Sequence, residues 1–189
     1  MSLPDQYIVA TLHRPANVDD PGSLKQLVAA LHEVADKTDI IIPMHPRGAA
    51  GFNAAGLGTH PGIRICDPLG YLDFMSLVKG ASAAITDSAG VQEETTFLRV
   101  PCLTLRPVTE RPVTVTSGSN RLVTPAELPS AVSEALAAGP YAGELPPLWD
   151  GAAGPRIARI ITTWMRPQPT SSPSSWSLPP SARPALPGG

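Results

Sequence analysis

A string of small and acidic residues, A-I-T-D-S-A-G-V-Q-E-E at Ala84–Glu94, has the pattern of a phosphate-binding turn. Its apolar start predicts a buried strand that ends at Asp87 and Ser88, and the residues that follow predict the first turn of a helix. Helix N-termini present unpaired backbone N–H groups and a positive dipole end to anions. Ala89 and Gly90 are small enough to let a phosphate approach the backbone closely.

Two carboxylates, Glu93 and Glu94, follow about one helical turn later. Either could accept hydrogen bonds from a vicinal diol such as a ribose. An ordinary helix start explains the same string equally well, because Ser and Asp cap helices and acidic residues suit a first turn. The string therefore indicates a phosphate site only in combination with other residues.

Two further clusters follow predicted strands: His13 with Arg14, and His45 with Arg47. Each could hold a phosphate through charge-assisted hydrogen bonds, and His13 could also act as an acid near neutral pH. Taken alone, a loop histidine is more often merely solvated, and this applies to both clusters. A metal site is disfavoured, because histidines on separate loops with no Cys or paired acidic ligand in register lack the spacing of zinc ligands.

Phe74 and Arg111 each allow two interpretations. Phe74, three residues beyond Tyr71, could stack on a planar base or could simply pack in the core, as aromatic residues at helical spacing usually do. Arg111, in the string T-E-R-P, could bind an anion or pair with its neighbour Glu110.

Apolar runs of strand length alternate with helical patterns along the chain. The predicted strands are Tyr7–Leu12, Ile40–Met44, Ile63–Cys66, Ala83–Thr86, Cys102–Leu105 and, more weakly, Arg121–Val123. The predicted helices are one that begins at Asp20–Ser23 and continues through Leu24–Val34, and four at Tyr71–Lys79, Gly90–Leu98, Pro125–Ala138 and Gly154–Met165. This alternation predicts a Rossmann-like three-layer α/β/α fold with a parallel sheet. The polar clusters then meet beyond the carboxyl ends of the strands, where open parallel sheets bind ligands.

Composition limits the domain count and the kinds of partner. The chain has 189 residues, and we expect residues 1–166 to form one domain and the Pro/Ser-rich residues 167–189 to form a disordered tail. A net charge of −2 with scattered basic residues argues against a nucleic-acid groove or an acidic membrane surface. Two cysteines, Cys66 and Cys102, lie in apolar runs and suggest buried, reduced thiols. The sequence shows no secretion signal and no membrane span, so the expected compartment is the cytoplasm.

Several strings together resemble one family, the non-hydrolysing UDP-N-acetylglucosamine 2-epimerases, over about Tyr7–Ile160. The strings are T-L-H-R-P-A-N at Thr11–Asn17, the His-Pro turn at His45, P-L-G-Y-L-D-F at Pro68–Phe74, T-D-S-A-G-V-Q-E-E at Thr86–Glu94, L-R-P-V-T-E-R-P through S-G-S-N-R-L-V at Leu105–Val123, and L-W-D-G-A-A-G-P-R-I at Leu148–Ile157. The resemblance is to the C-terminal half of these enzymes. It implies one half of a GT-B architecture, in which two Rossmann-like domains hold a nucleotide sugar between them.

The resemblance implies a role for several of the candidate residues. His13 would contact the phosphates and assist the departure of UDP, and Glu94 would hold the ribose hydroxyls, with Glu93 as the alternative. The remaining contacts would be Ser88, Ala89 and Gly90 at the diphosphate, Phe74 and the backbone near Leu69 at the uracil, and Arg111 at the nucleotide. The resemblance implies UDP-GlcNAc and UDP as ligands, and it implies no cofactor.

The sequence also departs from the family pattern. Family members usually have an acid where Ala16 stands and a glycine where Ala89 stands. Ala89 would narrow the phosphate approach if its position required a positive φ. More importantly, the carboxylates that move the C2 proton belong to the family's N-terminal domain, and no motif here supplies such a pair.

We therefore expect a truncated or split UDP-GlcNAc 2-epimerase, an isomerase of cell-envelope polysaccharide biosynthesis that interconverts UDP-GlcNAc and UDP-ManNAc. The chain alone should be inactive; a separate N-terminal half or a homodimer is the implied partner. The alternatives are the donor domain of a GT-B glycosyltransferase and a non-catalytic UDP-sugar binding module.

Overall fold

The computed structural model describes residues 3–166, apart from the side chain of Arg47. The predicted tail, residues 167–189, lies outside the described residues. The chain divides into two compact units after Trp149, and each is described by itself.

The first unit is built on a sheet of six parallel strands in the order β3-β2-β1-β4-β5-β6. The strands are β1 Tyr7–Thr11, β2 Asp39–Pro43, β3 Ile63–Cys66, β4 Ala83–Thr86, β5 Cys102–Thr104 and β6 Asn120–Leu122. Every predicted strand is present within one residue at either end, and the Rossmann-like prediction is confirmed. Short, nearly continuous apolar runs between helices are typical of parallel strands that are buried on both faces.

Helices cover both faces of this sheet. The helices of the first unit are α1 Pro15–Val18, α2 Pro21–Ala35, α3 Pro46–Ala54, α4 Tyr71–Lys79, α5 Ala89–Leu98, α6 Pro112–Thr116 and α7 Leu128–Ala138, with a 3₁₀ turn at Leu57–Thr59. The second unit contains α8 Ala153–Met165. The sequence patterns missed α1, α3 and α6. These are short and begin at a proline, so they lack an apolar stripe long enough to be recognised.

The predicted helix Pro125–Ala138 begins three residues later, at Leu128. The reason is a turn in which the Glu127 carboxylate accepts hydrogen bonds from the Thr124 backbone N–H at 2.8 Å and hydroxyl at 2.7 Å. This closed turn precedes the helix instead of forming part of it.

The main core lies between the sheet and helices α2 and α7, where Ile8, Ile40 and Ile85 are fully buried beneath Leu31 and Leu128. A smaller cluster covers the other face and includes Tyr7, Val9, Ile41, Leu77 and Val78. Alternate residues of β1 and β2 therefore point into different clusters, as a period of two requires.

The two cysteines are free, but only one matches the prediction of a buried thiol. Cys102 on β5 is buried, and burial raises the pKa of its thiol to about 11. Cys66 is only half-buried, because it ends β3 at the edge of the sheet and is covered from one side.

The second unit contains α8. At its start the Asp150 carboxylate accepts the Ala152 backbone N–H and the Arg156 guanidinium, each at 2.9 Å, and these contacts lower the pKa of Asp150 to about 2. Its larger apolar side chains are exposed; they are Ile157, Ile160, Ile161, Trp164 and Met165. Across residues 3–166, no helix is both long and apolar enough to cross a membrane.

Candidate functional site

The centre of the sheet is where the strand order changes direction. Strands β1 and β4 are neighbours there, and the chain leaves β1 toward one edge and β4 toward the other. The loop after β1 carries His13, and the loop after β4 carries Asp87 and Ser88, so both open at the same carboxyl end. Such switch points form the crevice in which doubly wound sheets bind ligands.

Asp87 holds these two loops together. Its fully buried carboxylate accepts the backbone N–H groups of His13 at 3.1 Å and Arg14 at 2.9 Å, and the Asn17 side-chain amide at 2.9 Å. The Nδ1 atom of His13 lies 3.2 Å from the same carboxylate. A proton on Nδ1 is thereby oriented toward Asp87, which leaves Nε2 as the nitrogen that can meet a ligand.

The structure brings the two predicted His clusters together. The rings of His13 and His45 lie 5.7 Å apart, although β2 and α2 separate them in sequence. Arg47 lies in the first turn of α3, just beyond His45. The Arg14 guanidinium approaches Glu110 at 3.7 Å.

The start of α5 is not an ordinary capped helix. Ser88 is the N-cap residue in extended conformation, and among the described residues its side chain makes no capping bond. A Cβ built on Gly90 would have no neighbour closer than the Ser88 hydroxyl at 4.0 Å. Packing within the described chain thus leaves open space beside Gly90.

The replacement of a family glycine by Ala89 introduces no strain. Among the described residues, the non-glycine positions with positive φ are Arg99 and Leu148. Ala89 therefore has an ordinary backbone conformation, and the condition under which it would narrow the phosphate approach does not hold.

Both carboxylates of α5 already have partners. Glu93 pairs with the Arg111 guanidinium at 2.8 Å, and Glu94 accepts the Tyr71 hydroxyl at 2.6 Å. Tyr71 begins α4 and is exposed, and its hydrogen bond to Glu94 raises the pKa of the phenol. One of the two interpretations of Arg111 was an ion pair with the Glu110 carboxylate, and this pair is not observed. The Arg111 side chain contacts Glu110 at its backbone carbonyl instead, at 3.5 Å.

The Glu110 carboxylate is instead held by Arg106, at 2.5 and 2.7 Å. These bonds lower the pKa of Glu110 to about 2, so the carboxylate is ionised throughout the physiological range. The Arg106 guanidinium is almost buried. The Glu110 carboxylate that it holds also lies 3.7 Å from Arg14, so these three residues connect the loop after β5 to the loop after β1. This pair of Arg106 with Glu110 was not predicted from the sequence.

Phe74 and Leu69 lie beside α4 with different surroundings. Phe74 is half-buried and packs against the cluster around Tyr7 and Leu77. Leu69 precedes α4 and is 40% exposed. The core interpretation of Phe74 is therefore supported, whereas base stacking stays a prediction.

A separate cavity of about 480 Å³ opens at the opposite end of the strands, beside Lys79, Ser82, Arg99 and Pro140. It contains no predicted site residue. Within residues 3–166, no cluster of His, Cys, Asp or Glu could hold a metal ion.

Sequence comparison relates the chain to known epimerases. The family model for UDP-N-acetylglucosamine 2-epimerase matches residues 2–162. A UDP-N-acetylglucosamine 2-epimerase of Methanocaldococcus jannaschii is 38% identical over 166 residues, which cover 85% of this chain and 45% of that protein. A UDP-2,3-diacetamido-2,3-dideoxy-D-glucuronate 2-epimerase of Pseudomonas aeruginosa is 40% identical over 120 residues, 63% of this chain and 33% of that protein. The chain thus spans less than half the length of these curated relatives.

Solved structures agree. The M. jannaschii UDP-GlcNAc 2-epimerase in complex with UDP-GlcNAc and UDP matches with a TM-score of 0.75 and 40% identity, over 84% of this chain and 46% of that one. Escherichia coli heptosyltransferase WaaC with ADP shares the fold alone, at 14% identity and a TM-score of 0.51 over 69% of this chain and 44% of that one. These neighbours confirm one half of a GT-B architecture. The chain belongs to the UDP-N-acetylglucosamine 2-epimerase family and corresponds to about the C-terminal half of its members.

Proposed function

We propose that this chain is the nucleotide-binding half of a UDP-GlcNAc 2-epimerase. One observation carries the proposal: the uncapped start of α5 opens beside the His13–Asp87 pair at the switch point of the sheet. This arrangement offers an anion both a helix N-terminus and an imidazole. A relative with 40% identity has been solved with UDP-GlcNAc and UDP, which supports this choice of ligand.

The diphosphate would lie against the backbone of Ser88, Ala89 and Gly90. His13 would turn Nε2 toward the phosphates, with Asp87 holding its other nitrogen 3.2 Å away. A histidine held in this way can donate a proton or a hydrogen bond to a departing phosphate. His45, whose ring is 5.7 Å from that of His13, would add a further polar group at the same place, together with Arg14 and Arg47.

The nucleoside would extend from α5 toward α4. Glu94 would accept the ribose hydroxyls with the carboxylate oxygen that Tyr71 does not use, or with both after Tyr71 withdraws. Arg111, paired with Glu93, would border the nucleotide, and Leu69 and Phe74 would contact the uracil.

The proposed reaction begins with elimination: the bond from C1 to the UDP oxygen breaks and the C2 proton is removed, which gives UDP and a 2-acetamidoglucal. UDP is then added back to C1 while a proton is delivered to the opposite face of C2, which inverts the C2 configuration. His13 would stabilise the departing phosphate. Removing and returning the C2 proton needs positioned bases, and the resemblance assigns these to the N-terminal domain. The partner that would supply these bases is therefore a separate N-terminal half, in the cytoplasm. A homodimer of this chain is the alternative assembly, and it would not supply them.

The epimerase is favoured over a glycosyltransferase donor domain because the family match extends over residues 2–162, whereas the heptosyltransferase likeness concerns the fold alone. The P. aeruginosa relative is named for a different UDP-sugar, so the UDP moiety is what the two relatives' ligands have in common.

Calorimetric titration with UDP tests the proposal. The chain should bind weakly, with a Kd on the order of 0.1–1 mM, because one wall of the cleft is absent. Glu94→Ala should weaken binding by about ten-fold through loss of a charged acceptor. Glu134→Ala, which removes an exposed carboxylate paired with Arg121 elsewhere, is the matched control. Absence of UDP binding by folded protein, or full binding by Glu94→Ala, would contradict the assignment.

Tyr71→Phe should strengthen UDP binding slightly, by about two-fold to five-fold, because the ribose no longer competes with the phenol for Glu94. The measurement is the same titration. If Tyr71→Phe binds UDP more weakly than the unaltered chain while its melting temperature is unchanged, the phenol and the ribose do not compete for Glu94.

A further inference from the structure

A network of polar side chains lies between α5, β5, β6 and the loop that leads to α6. We call it the Gln92 network; its members are Gln92, Thr104, Thr109, Thr114 and Asn120. Gln92 and the threonines Thr104 and Thr114 are fully buried, and Asn120 nearly so. Buried amides are costly unless their hydrogen bonds are made, and each one that is satisfied fixes the orientation of its neighbours.

The two amides fix the direction of these bonds. The Gln92 side-chain oxygen accepts the Thr109 hydroxyl at 2.5 Å and the Asn120 amide at 3.1 Å. The Asn120 amide also donates to the Thr114 hydroxyl at 3.0 Å, and its oxygen accepts the Thr104 hydroxyl at 2.7 Å. Donors and acceptors match at each of these bonds, so one arrangement of the two amides satisfies all of them.

The network ends on the backbone of two loops of the proposed nucleotide site. On one side, the Gln92 amide donates to the Ser88 carbonyl at 3.2 Å. On the other side, the Thr109 hydroxyl accepts the Arg111 backbone N–H at 2.9 Å, and the Thr114 hydroxyl donates to the Arg111 carbonyl at 2.7 Å. Gln92 therefore joins the start of α5 to the loop that presents Arg111.

Neighbouring threonines of α5 have hydroxyls that make no bond to the loop that presents Arg111. The hydroxyls of Thr95 and Thr96, both fully buried on α5, bond to carbonyls of their own helix at 2.7 and 2.8 Å. Gln92 differs because its carboxamide bonds to side chains of other elements. If Gln92 served only to stabilise α5, this connection to Thr109 would not be needed.

We propose that Gln92 is a positioning residue for the diphosphate end of the nucleotide, acting through Ser88 and through Thr109 on Arg111. This inference rests on the proposed function. The backbone of Arg111 is held at both its N–H and its carbonyl, and its Nε atom lies 2.8 Å from the Glu93 carboxylate, which is an ion-pair contact. A loosened network should therefore weaken binding of the diphosphate and spare that of the nucleoside.

The test compares UDP with uridine on the purified chain, by ligand-observed NMR titration, together with melting temperatures. Thr109→Val removes the hydroxyl that joins Gln92 to Arg111 and keeps the side-chain volume. Thr109→Ser restores the hydroxyl, and Thr95→Val is the matched control, since it deletes an α5 hydroxyl that does not contact the loop. Gln92→Met removes the whole connection.

Thr109→Val should weaken UDP binding by about five-fold while leaving uridine binding within two-fold, and Thr109→Ser should recover most of the loss. Gln92→Met should have the same selectivity with a larger loss, and Thr95→Val should bind both ligands normally. Equal losses for UDP and uridine, or normal UDP binding by both Thr109→Val and Gln92→Met, would overturn the inference. Absence of UDP binding by the unaltered chain would instead contradict the proposed function.

Discussion

Asp87→Ala should lower the free energy of unfolding by about 3–5 kcal/mol. The carboxylate is fully buried and accepts the backbone N–H groups of His13 and Arg14, so its removal leaves these two donors without that partner. The Asn17 side-chain amide would lose one of its two bonds and keep the one to the Leu105 carbonyl. A loss of this size is a large share of the 5–15 kcal/mol by which domains are usually stable, on the order of one third or more. We therefore expect a much lower urea midpoint and a loosened loop at His13.

Two variants separate this effect from a general loss of charge. Asp87→Asn keeps the shape and one acceptor oxygen, so it should cost clearly less than Asp87→Ala. Asp67 follows β3 as Asp87 follows β4, but it is exposed, so Asp67→Ala should change stability by less than about 0.5 kcal/mol. A midpoint for Asp87→Ala equal to that of the unaltered chain would show that Asp87 does not hold the two loops together.

The 189-residue chain alone should fail to interconvert UDP-GlcNAc and UDP-ManNAc, even when it is folded and binds UDP. His13 can assist the departure of a phosphate, but removal of the weakly acidic C2 proton also needs a positioned base in a site closed to water. Glu93 and Glu94 are engaged with Arg111 and Tyr71 and are assigned to the nucleotide. NMR of UDP-GlcNAc incubated with purified protein measures the conversion.

Addition of the N-terminal half of the M. jannaschii relative should restore some turnover, provided that the two halves form a native interface. The intact M. jannaschii enzyme is the positive control. Appearance of the manno epimer with this chain alone at enzyme-like rates, abolished by His13→Ala, would show that a complete active site is present in it.

The sheet could be predicted from the sequence, and so could the position of the site at the carboxyl ends of its strands. Apolar runs such as Ala83–Thr86 are too short for helices, and polar clusters follow them. Because the strands are parallel, these clusters all lie at the carboxyl ends of the strands. The resemblance added the choice of nucleotide, which loop chemistry alone left open.

The side-chain partners could not be predicted, because they depend on loop conformations that have no periodicity. Glu93 pairs with Arg111 and Glu110 with Arg106, although Glu110 adjoins Arg111 in sequence. The sequence pattern predicts Asp87 as part of the phosphate-binding turn, yet its carboxylate faces inward onto the loop after β1. Gln92 gave no signal, since a glutamine within a helix is usually solvated and only the packing of β5 and β6 shows that it is buried.

The location of bound UDP tests the central claim most directly. With assigned backbone amides, a UDP titration followed by ¹H–¹⁵N correlation spectra should shift the amides of Ala89 and Gly90 most, with smaller shifts at His13 and Arg111. Uridine should leave the α5 amides nearly unchanged, which isolates the contribution of the diphosphate. The contradicting result is a set of shifts around Lys79 and Arg99, which lie at the cavity of about 480 Å³ at the opposite end of the strands, with no shift of the amides at the start of α5. The site assigned to this chain would then be wrong.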